Sequence, residues 1–260
     1  AKWKISEVHE KLARELGCEV NGDAELPEDL DLISARTEFY DKPTALPVVK
    51  NSSIKQDLHR RDFTINTLAL RLDGTHFGEL HDHWGGLNDI KAKSIKVLHS
   101  LSFVDDPTRM LRAVRFEQRF GFKIEERTLQ LIKEARENFK QVSGDRIRHE
   151  FDLLLKEADP ARNLQRLKEL DLLSAVQNGL DWQTPWGDLL EKALQKKIEA
   201  PWDANQVDRS LLVYLTWFIH LDKQAARDAA ERLHFSNAMV KTLEVSQRLI
   251  ENQTSLAEMP

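Results

Sequence analysis

Between Ser102 and Phe116 the chain reads SFVDDPTRMLRAVRF, which sets the carboxylate of Asp106 three positions ahead of the guanidinium of Arg109. An aspartate side chain offers acceptors and an arginine only donors. Held at one helix start, the two can face a planar polar group together. Asp106 suits an N-cap, and Pro107 suits the first helical position, where its missing N–H costs nothing. At about 100° per residue Met110, Leu111 and Val114 form an apolar face. Arg109, Arg112, Arg115 and Arg119 form a second stripe that Phe116 interrupts. The plain alternative is an amphipathic surface helix with a solvated basic face.

Three further clusters carry reactive types. Asp29-Leu30-Asp31 places two carboxylates on one face of a strand, a start toward a hard divalent cation such as Mg²⁺. His59-Arg60-Arg61-Asp62-Phe63-Thr64-Ile65-Asn66 packs two guanidiniums, a carboxylate and an amide together, with Asp62 and Asn66 spaced to meet on a helical turn. The interleaved Phe63, Ile65 and Leu68 point to a partly buried polar cluster. Gly144-Asp145-Arg146-Ile147-Arg148-His149-Glu150 opens another helix, in which Arg146 and Glu150 have ion-pair spacing. His81 and His83 flank Asp82 without enough neighbouring ligands for a metal site. No glycine-rich phosphate loop, Ser/His/Asp arrangement or zinc-spaced set is visible.

These clusters need a scaffold, and 260 residues can build one large or two ordinary cores. The sequence has no apolar run of membrane-spanning length and no leader pattern, and its single cysteine, Cys18, excludes an internal disulfide framework, so a cytoplasmic setting is the default. A net charge of −5 argues against blanket nucleic-acid binding but permits a local basic groove. Ala1–Ile5 alternates like a strand. Ser6 caps a helix that stops at Gly17, a turn follows at Asn21-Gly22-Asp23, and Leu30–Ala35 reads as a strand. An arm with Pro43 and Pro47 leads to Ser52-Ser53, which can cap a helix from Ile54. Leu68–Leu72 and Phe77–Asp82 flank Asp73-Gly74 as a hairpin, and Trp84-Gly85-Gly86 is a tight turn. From about Leu101 strand signals stop and helices follow at 107–120, 126–137, 144–156, 161–170, 187–198, 207–221, 224–233 and 237–251. Ser174–Trp186 reads as a connector. The apolar 207–221 helix is a buried one, and Lys192, Lys196 and Lys197 read as a solvated face.

Taken together, the motifs resemble the tRNA nucleotidyltransferase and bacterial poly(A) polymerase family. The likeness runs collinearly from about Leu30 to Glu150. It comprises Asp31-Leu32-Ile33-Ser34-Ala35-Arg36-Thr37-Glu38 with Lys42–Pro47, then Asp57–Asn66, Trp84-Gly85-Gly86-Leu87-Asn88-Asp89, the Ser102–Phe116 stretch, and Gly144–Glu150. The resemblance implies an α+β protein with a nucleotidyltransferase-type head over 1–98, a base-recognising helical neck over 99–158 and a helical body over 159–260. It implies template-independent addition of C, A or both, from CTP and ATP, to the 3′ end of tRNA, with Mg²⁺. A poly(A) polymerase, an A-only or CC-only enzyme, and a non-catalytic RNA-binding relative are the alternatives.

Carried over residue by residue, Asp31 matches an acidic, metal-binding and catalytic position on a head strand. Arg61, Asp62 and Asn66 match the motif that contacts ribose and triphosphate. The Trp84 turn with Asp89 matches a flexible head–neck connection. Asp106 and Arg109 match the pair that reads the base, with Arg112 and Arg115 as phosphate contacts or supports, and Arg146 and Glu150 match the motif that steadies the readers. The chain departs from the family in having Asp105-Asp106 where Glu-Asp is usual. It also lacks the family's Gly-Gly-x-x-Arg-Asp and paired Asp-x-Asp, so the expectation is an upstream segment carrying most of the metal ligands and little catalysis from these residues alone.

Overall fold

The computed structural model describes residues 2–4, 28–39, 48–196 and 208–252. The backbone groups into two compact units, one of 1–39 with 48–60 and the other of 40–47 with 61–260. The expected helix from Ser6, the turn at Asn21-Gly22-Asp23 and the Lys42–Pro47 arm lie outside the described residues.

In the first unit, β1 (Lys2–Lys4) pairs antiparallel with β2 (Asp29–Asp31), and β3 (Arg36–Phe39) with β4 (Val48–Asn51). The single strand expected over Leu30–Ala35 is therefore cut short: only Leu30 and Asp31 lie in a strand, and β3 begins beyond Ala35. β2 ends where its three-residue partner ends, and a strand persists only while its ladder bonds are made. Ser53 caps α1 (Ile54–His59), as its position before the apolar residue suggested, by accepting the N–H of Gln56. Asp57 on α1 is buried and holds the strand above it, accepting from the Arg36 N–H at 3.1 Å and from Arg60 at 2.8 Å. Arg60 also reaches Glu38 at 2.9 Å.

The second unit begins with a short 3₁₀ turn, Thr64–Asn66, and the expected hairpin, β5 (Ala69–Leu70) with β6 (Leu80–His81). Gly85 adopts φ +74°, a left-handed conformation that suits glycine, and leads into α2 (Gly86–Lys91). The carboxylate of Asp82 caps this helix from outside, accepting from the Gly86 N–H at 2.8 Å and the Leu87 N–H at 3.0 Å. Gly86 also lies against the Thr64 carbonyl so closely that a β-carbon would collide with it. The Thr64 hydroxyl donates to Asp89 at 2.6 Å, so the turn and the 3₁₀ segment are bonded into one piece.

Strand structure does not stop at Leu101. β7 (Ser94–Ile95) pairs in parallel with β8 (Lys123–Ile124), a two-residue partner too short to show alternation in the sequence. Between them lie α3 (Ser102–Asp105) and α4 (Thr108–Phe120). They are separate helices because a proline disfavours helical geometry in the residue before it; Asp106 sits at φ −142°, ψ 97°. The helices continue as α5 (Glu126–Ala135), α6 (Gly144–Leu155), α7 (Pro160–Glu169), α8 (Leu172–Val176), α9 (Thr184–Gln195), α10 (Arg209–Phe218), α11 (Lys223–Arg232) and α12 (Asn237–Glu251). The expected connector over 174–186 is shortened from both ends by α8 and α9. Its middle is core, since Leu180 and Trp182 are buried and the Asp181 carbonyl accepts the Trp217 indole N–H at 2.6 Å. Tyr214, Trp217 and Phe218 bury α10 as expected, and among the described residues no helix is long and apolar enough to cross a membrane.

Two outcomes follow. Burial works against the charge of Asp82, but the N–H groups of Leu87, Gly86, Gly85 and Trp84 more than offset it, and its pKa lies below the ordinary value. A depressed acid contributes stability that is full above about pH 4 and lost as pH falls through the folded-state pKa. Asp82→Ala should cost about 1 kcal/mol near neutrality and flatten the acid limb of thermal unfolding. Gly86→Ala should cost about 1–3 kcal/mol in urea unfolding, and a wild-type midpoint would show that the Thr64 carbonyl can retreat.

Candidate functional site

The chemistry-bearing residues of the second unit converge where α4 packs on α6. Met110, Leu111, Ala113 and Val114 are fully buried, so α4 is a core helix and its basic stripe is not a solvated face. Arg112 donates from Nε to Asp62 Oδ2 at 2.7 Å, its Nη2 lies 2.6 Å from the same oxygen, and its Nη1 reaches Glu150 at 3.4 Å. Arg115 is 8% exposed, lies 3.6 Å from Glu150 and 4.0 Å from Glu157, and Arg119 lies 3.8 Å from Glu157. Phe116 is part of this arrangement. Its ring meets Phe63 edge-on at 5.7 Å, with the guanidiniums of Arg112 and Arg115 at 5.5 and 5.0 Å from its centroid.

Burial pushes the pKa of both arginines down. At Arg112 the charges of Asp62 and Glu150 more than reverse this, raising its pKa above the ordinary value. At Arg115 burial outweighs Glu150, and the pKa is lowered.

Asp62 and Asn66 meet, as their spacing indicated, but across a loop and the 3₁₀ turn instead of an α-helix: Asn66 Nδ2 donates to Asp62 Oδ1 at 2.7 Å. The Phe63 N–H adds a second bond to Oδ1 at 3.0 Å. Asp62 is 7% exposed and has donors on both oxygens. Arg61, by contrast, is exposed, with Nη1 donating to the Asn66 carbonyl at 3.2 Å.

At the head of α4, Asp106 accepts from the Thr108 N–H at 3.0 Å, which is the capping role read from the sequence. The same oxygen accepts the Thr108 hydroxyl at 2.6 Å and lies 2.9 Å from Arg146 Nη2. Arg146 and Glu150 share a face of α6 but serve different partners, Arg146 reaching Asp106 while Glu150 receives Arg112 and Arg115. Arg109 is 7% exposed, and its Nη1 donates to the fully buried Ser102 hydroxyl at 2.9 Å. Thr108, Ser102 and Glu157 were not singled out from the sequence. Two small hydroxyls and a glutamate beyond a helix end give no periodic signal.

Asp31, in the first unit, is exposed on β2, and its neighbour Asp29 is paired to Lys2 at 2.5 Å. Among the described residues no group of three His, Cys, Asp or Glu is placed to hold a metal, and His81 and His83 merely have their rings 5.6 Å apart. The described residues therefore do not compose a Mg²⁺ site.

The second unit combines a small sheet, an arginine-lined helix start and a helical array, which can be set beside known proteins. Residues 5–96 match the poly(A) polymerase head domain, and residues 121–182 match the probable RNA and SrmB-binding site of polymerase A. The chain belongs to the tRNA nucleotidyltransferase and poly(A) polymerase family. It is 44% identical over 178 residues to an A-adding tRNA nucleotidyltransferase of Geobacter sulfurreducens, covering 64% of this chain and 20% of that protein. A solved CCA-adding enzyme in an apo form matches 99% of this chain and 62% of its own, with a TM-score of 0.76 and 32% identity. A CCA-adding enzyme in complex with CTP matches 79% of this chain and 49% of its own, with a TM-score of 0.66 and 34% identity. Curated relatives named A-adding match at 39–44% identity and those named CCA-adding at 27–38%. The chain spans 20–35% of the length of the first curated relatives that it matches. The α+β class expected from the family resemblance is the one observed.

The buried ion pairs set a testable cost. Arg112→Met should destabilise the second unit by about 3–5 kcal/mol, because it strips Asp62 of its charged partner in a buried setting. Adding Asp62→Asn should recover part of the loss in a urea-unfolding double-mutant cycle, whereas strictly additive losses would mean that the two residues act apart.

Proposed function

We propose that the protein this chain belongs to is an RNA-specific nucleotidyltransferase that adds C, A or both to the 3′ end of tRNA, and that 61–150 supply its nucleotide recognition. The observation that carries this reading is the head of α4, where an acceptor, Asp106, and a donor, Arg109, stand one turn apart, each fixed by a hydroxyl. Cytosine and adenine both present an amino donor beside a ring-nitrogen acceptor. Asp106 accepts from the amino group while Arg109 donates to the ring nitrogen. Uracil and guanine offer a carbonyl and a ring N–H and leave both side chains facing the wrong partner. At about 1–3 kcal/mol for each unsatisfied buried group, two mismatches give roughly a hundred- to ten-thousand-fold discrimination.

In the proposed reaction the RNA 3′-oxygen forms a bond to the α-phosphorus as the bond to the bridging oxygen of the β-phosphate breaks, and pyrophosphate leaves. Arg61, exposed at the start of the second unit, faces the triphosphate, and Asn66 stands beside it. Asp62, Arg112, Arg115 and Glu150 hold α4 in place. Mg²⁺ is the metal this chemistry calls for. Asp31 is the residue here that matches one of its ligands, and the other donors lie outside the described residues. The reading places the protein in the cytoplasm, where tRNA is processed.

Solved relatives that hold CTP, ATP and tRNA support both nucleotides and the RNA partner as its substrates. Within the reading, the higher identity of the A-adding relatives favours adenosine addition to tRNA that already ends in CC. The test is extension of tRNA ending before, within and after CCA, using the complete polypeptide with each of the four nucleoside triphosphates. Extension of the CC-ending tRNA from ATP is expected, and Asp106→Ala should lose its preference over UTP and GTP. Equal wild-type incorporation of UTP or GTP would refute base reading by this pair. Base-selective binding without any extension would instead favour a binding protein that has kept the pocket.

A further inference from the structure

We infer that Thr108 is a positioning residue for base recognition: its hydroxyl, together with Arg146, occupies one oxygen of Asp106 so that the carboxylate presents its other oxygen, Oδ2, to the exocyclic amino group of the base. This inference rests on the proposed base-reading role of Asp106.

The division between the two oxygens is explicit in the geometry. Oδ1 accepts the Thr108 N–H at 3.0 Å and the Thr108 hydroxyl at 2.6 Å, and it lies 2.9 Å from Arg146 Nη2. Among the described residues no hydrogen bond or ion pair reaches Oδ2. A carboxylate oxygen has about two lone-pair sites, so the two Thr108 donors fill those of Oδ1, the Arg146 charge stands beside them, and Oδ2 is left as the open acceptor. The side chain is 19% exposed, so the carboxylate is partly reachable, whereas Thr108 itself is 5% exposed and belongs to the wall behind it.

The clamp matters because the last torsion of an aspartate is broad and roughly two-fold. Held only at its α-carbon, the carboxylate can rotate its plane away from that of an incoming base. The Thr108 bonds come from two points of one residue, a backbone N–H and a side-chain hydroxyl, and Arg146 adds a third from α6. Donors from different directions on one oxygen fix the carboxylate plane, and with it the direction of the Oδ2 lone pairs. Removing the hydroxyl leaves the cap bond and the ion pair but releases the rotation.

The substitution Thr108→Val keeps the branched shape and the N–H and deletes only the hydroxyl donor. Thr108→Ser keeps the hydroxyl. Calorimetric titration of the full chain with CTP, ATP, UTP, GTP and inorganic tripolyphosphate separates the contributions, with thermal unfolding recorded alongside. The wild type should bind CTP and ATP more tightly than UTP and GTP. Thr108→Val should lose about tenfold in affinity for CTP and ATP while tripolyphosphate and the wrong bases bind as before, and Thr108→Ser should restore the preference. If Thr108→Val discriminates as well as the wild type, or if it weakens tripolyphosphate equally, the positioning role is overturned while the base-reading role of Asp106 stands. A wild type that shows no preference among the four nucleotides overturns that reading and this inference with it.

Discussion

A guanidinium taken out of water costs several kcal/mol unless carboxylates and hydrogen bonds replace the lost hydration, and α4 carries arginines into the interior at two positions that face α6. The structure meets that constraint with Asp62, Glu150 and Glu157. Their order fixes how the helices lie. Asp106 pairs with Arg146, Arg112 and Arg115 with Glu150, and Arg115 and Arg119 with Glu157, so partners ascend together and the two helices run parallel in a single register. A one-turn slip would disturb the apolar contacts of Met110, Leu111 and Val114 and would also strand the buried charges. The ion pairs and the apolar face therefore determine together where the head of α4 stands.

The same constraint ties the loop at Asp62 to the helix start. Asp62 receives the Phe63 N–H and Asn66 on one oxygen and Arg112 on the other, which makes it a junction between the 3₁₀ turn and α4. Thr64 extends the connection to α2 through Asp89. The elements thus form a chain of bonded neighbours in which the sheet-bearing segment around 61–95 and the helical segment share one polar spine. Residues on this spine, Asp62, Arg112, Arg115 and Glu150, are bonded to one another and so hold the head of α4 in place.

Local signals in the sequence read well where one residue type decides the outcome. Ser53 before α1, Asp106 with Pro107 before α4 and the hairpin around Asp73-Gly74 are all in place, and α12 has the expected bounds. Signals that depend on tertiary pairing were invisible. The two-residue partner strand at Lys123–Ile124 has no periodicity to detect, and the buried Trp182 connector resembles any loop with glycine and proline. The site shows the same divide. Charged residues announce themselves by type and spacing, so Asp106, Arg109, Arg112 and Glu150 were legible. Which carboxylate each guanidinium meets depends on the packing of α4 on α6, and the hydroxyls of Ser102 and Thr108 matter only because that packing buries them.

On the proposed reading, the two readers cannot by themselves separate cytosine from adenine. Both bases offer an amino donor next to a ring-nitrogen acceptor, so a carboxylate held at one oxygen and a guanidinium held at one nitrogen satisfy either with the same two bonds. What differs is size, since adenine carries a second ring behind the paired edge, and one further acceptor, since cytosine has a carbonyl oxygen beside its ring nitrogen where adenine has a C–H. Discrimination between them must then come from how far the surrounding wall lies from the readers or from a further donor at that carbonyl. A wall set by apolar or backbone groups distinguishes ligands by exclusion, and the fixed register of α4 makes that distance well defined. An enzyme that adds only one nucleotide and one that adds both can therefore share Asp106, Arg109, Thr108 and Arg146 unchanged.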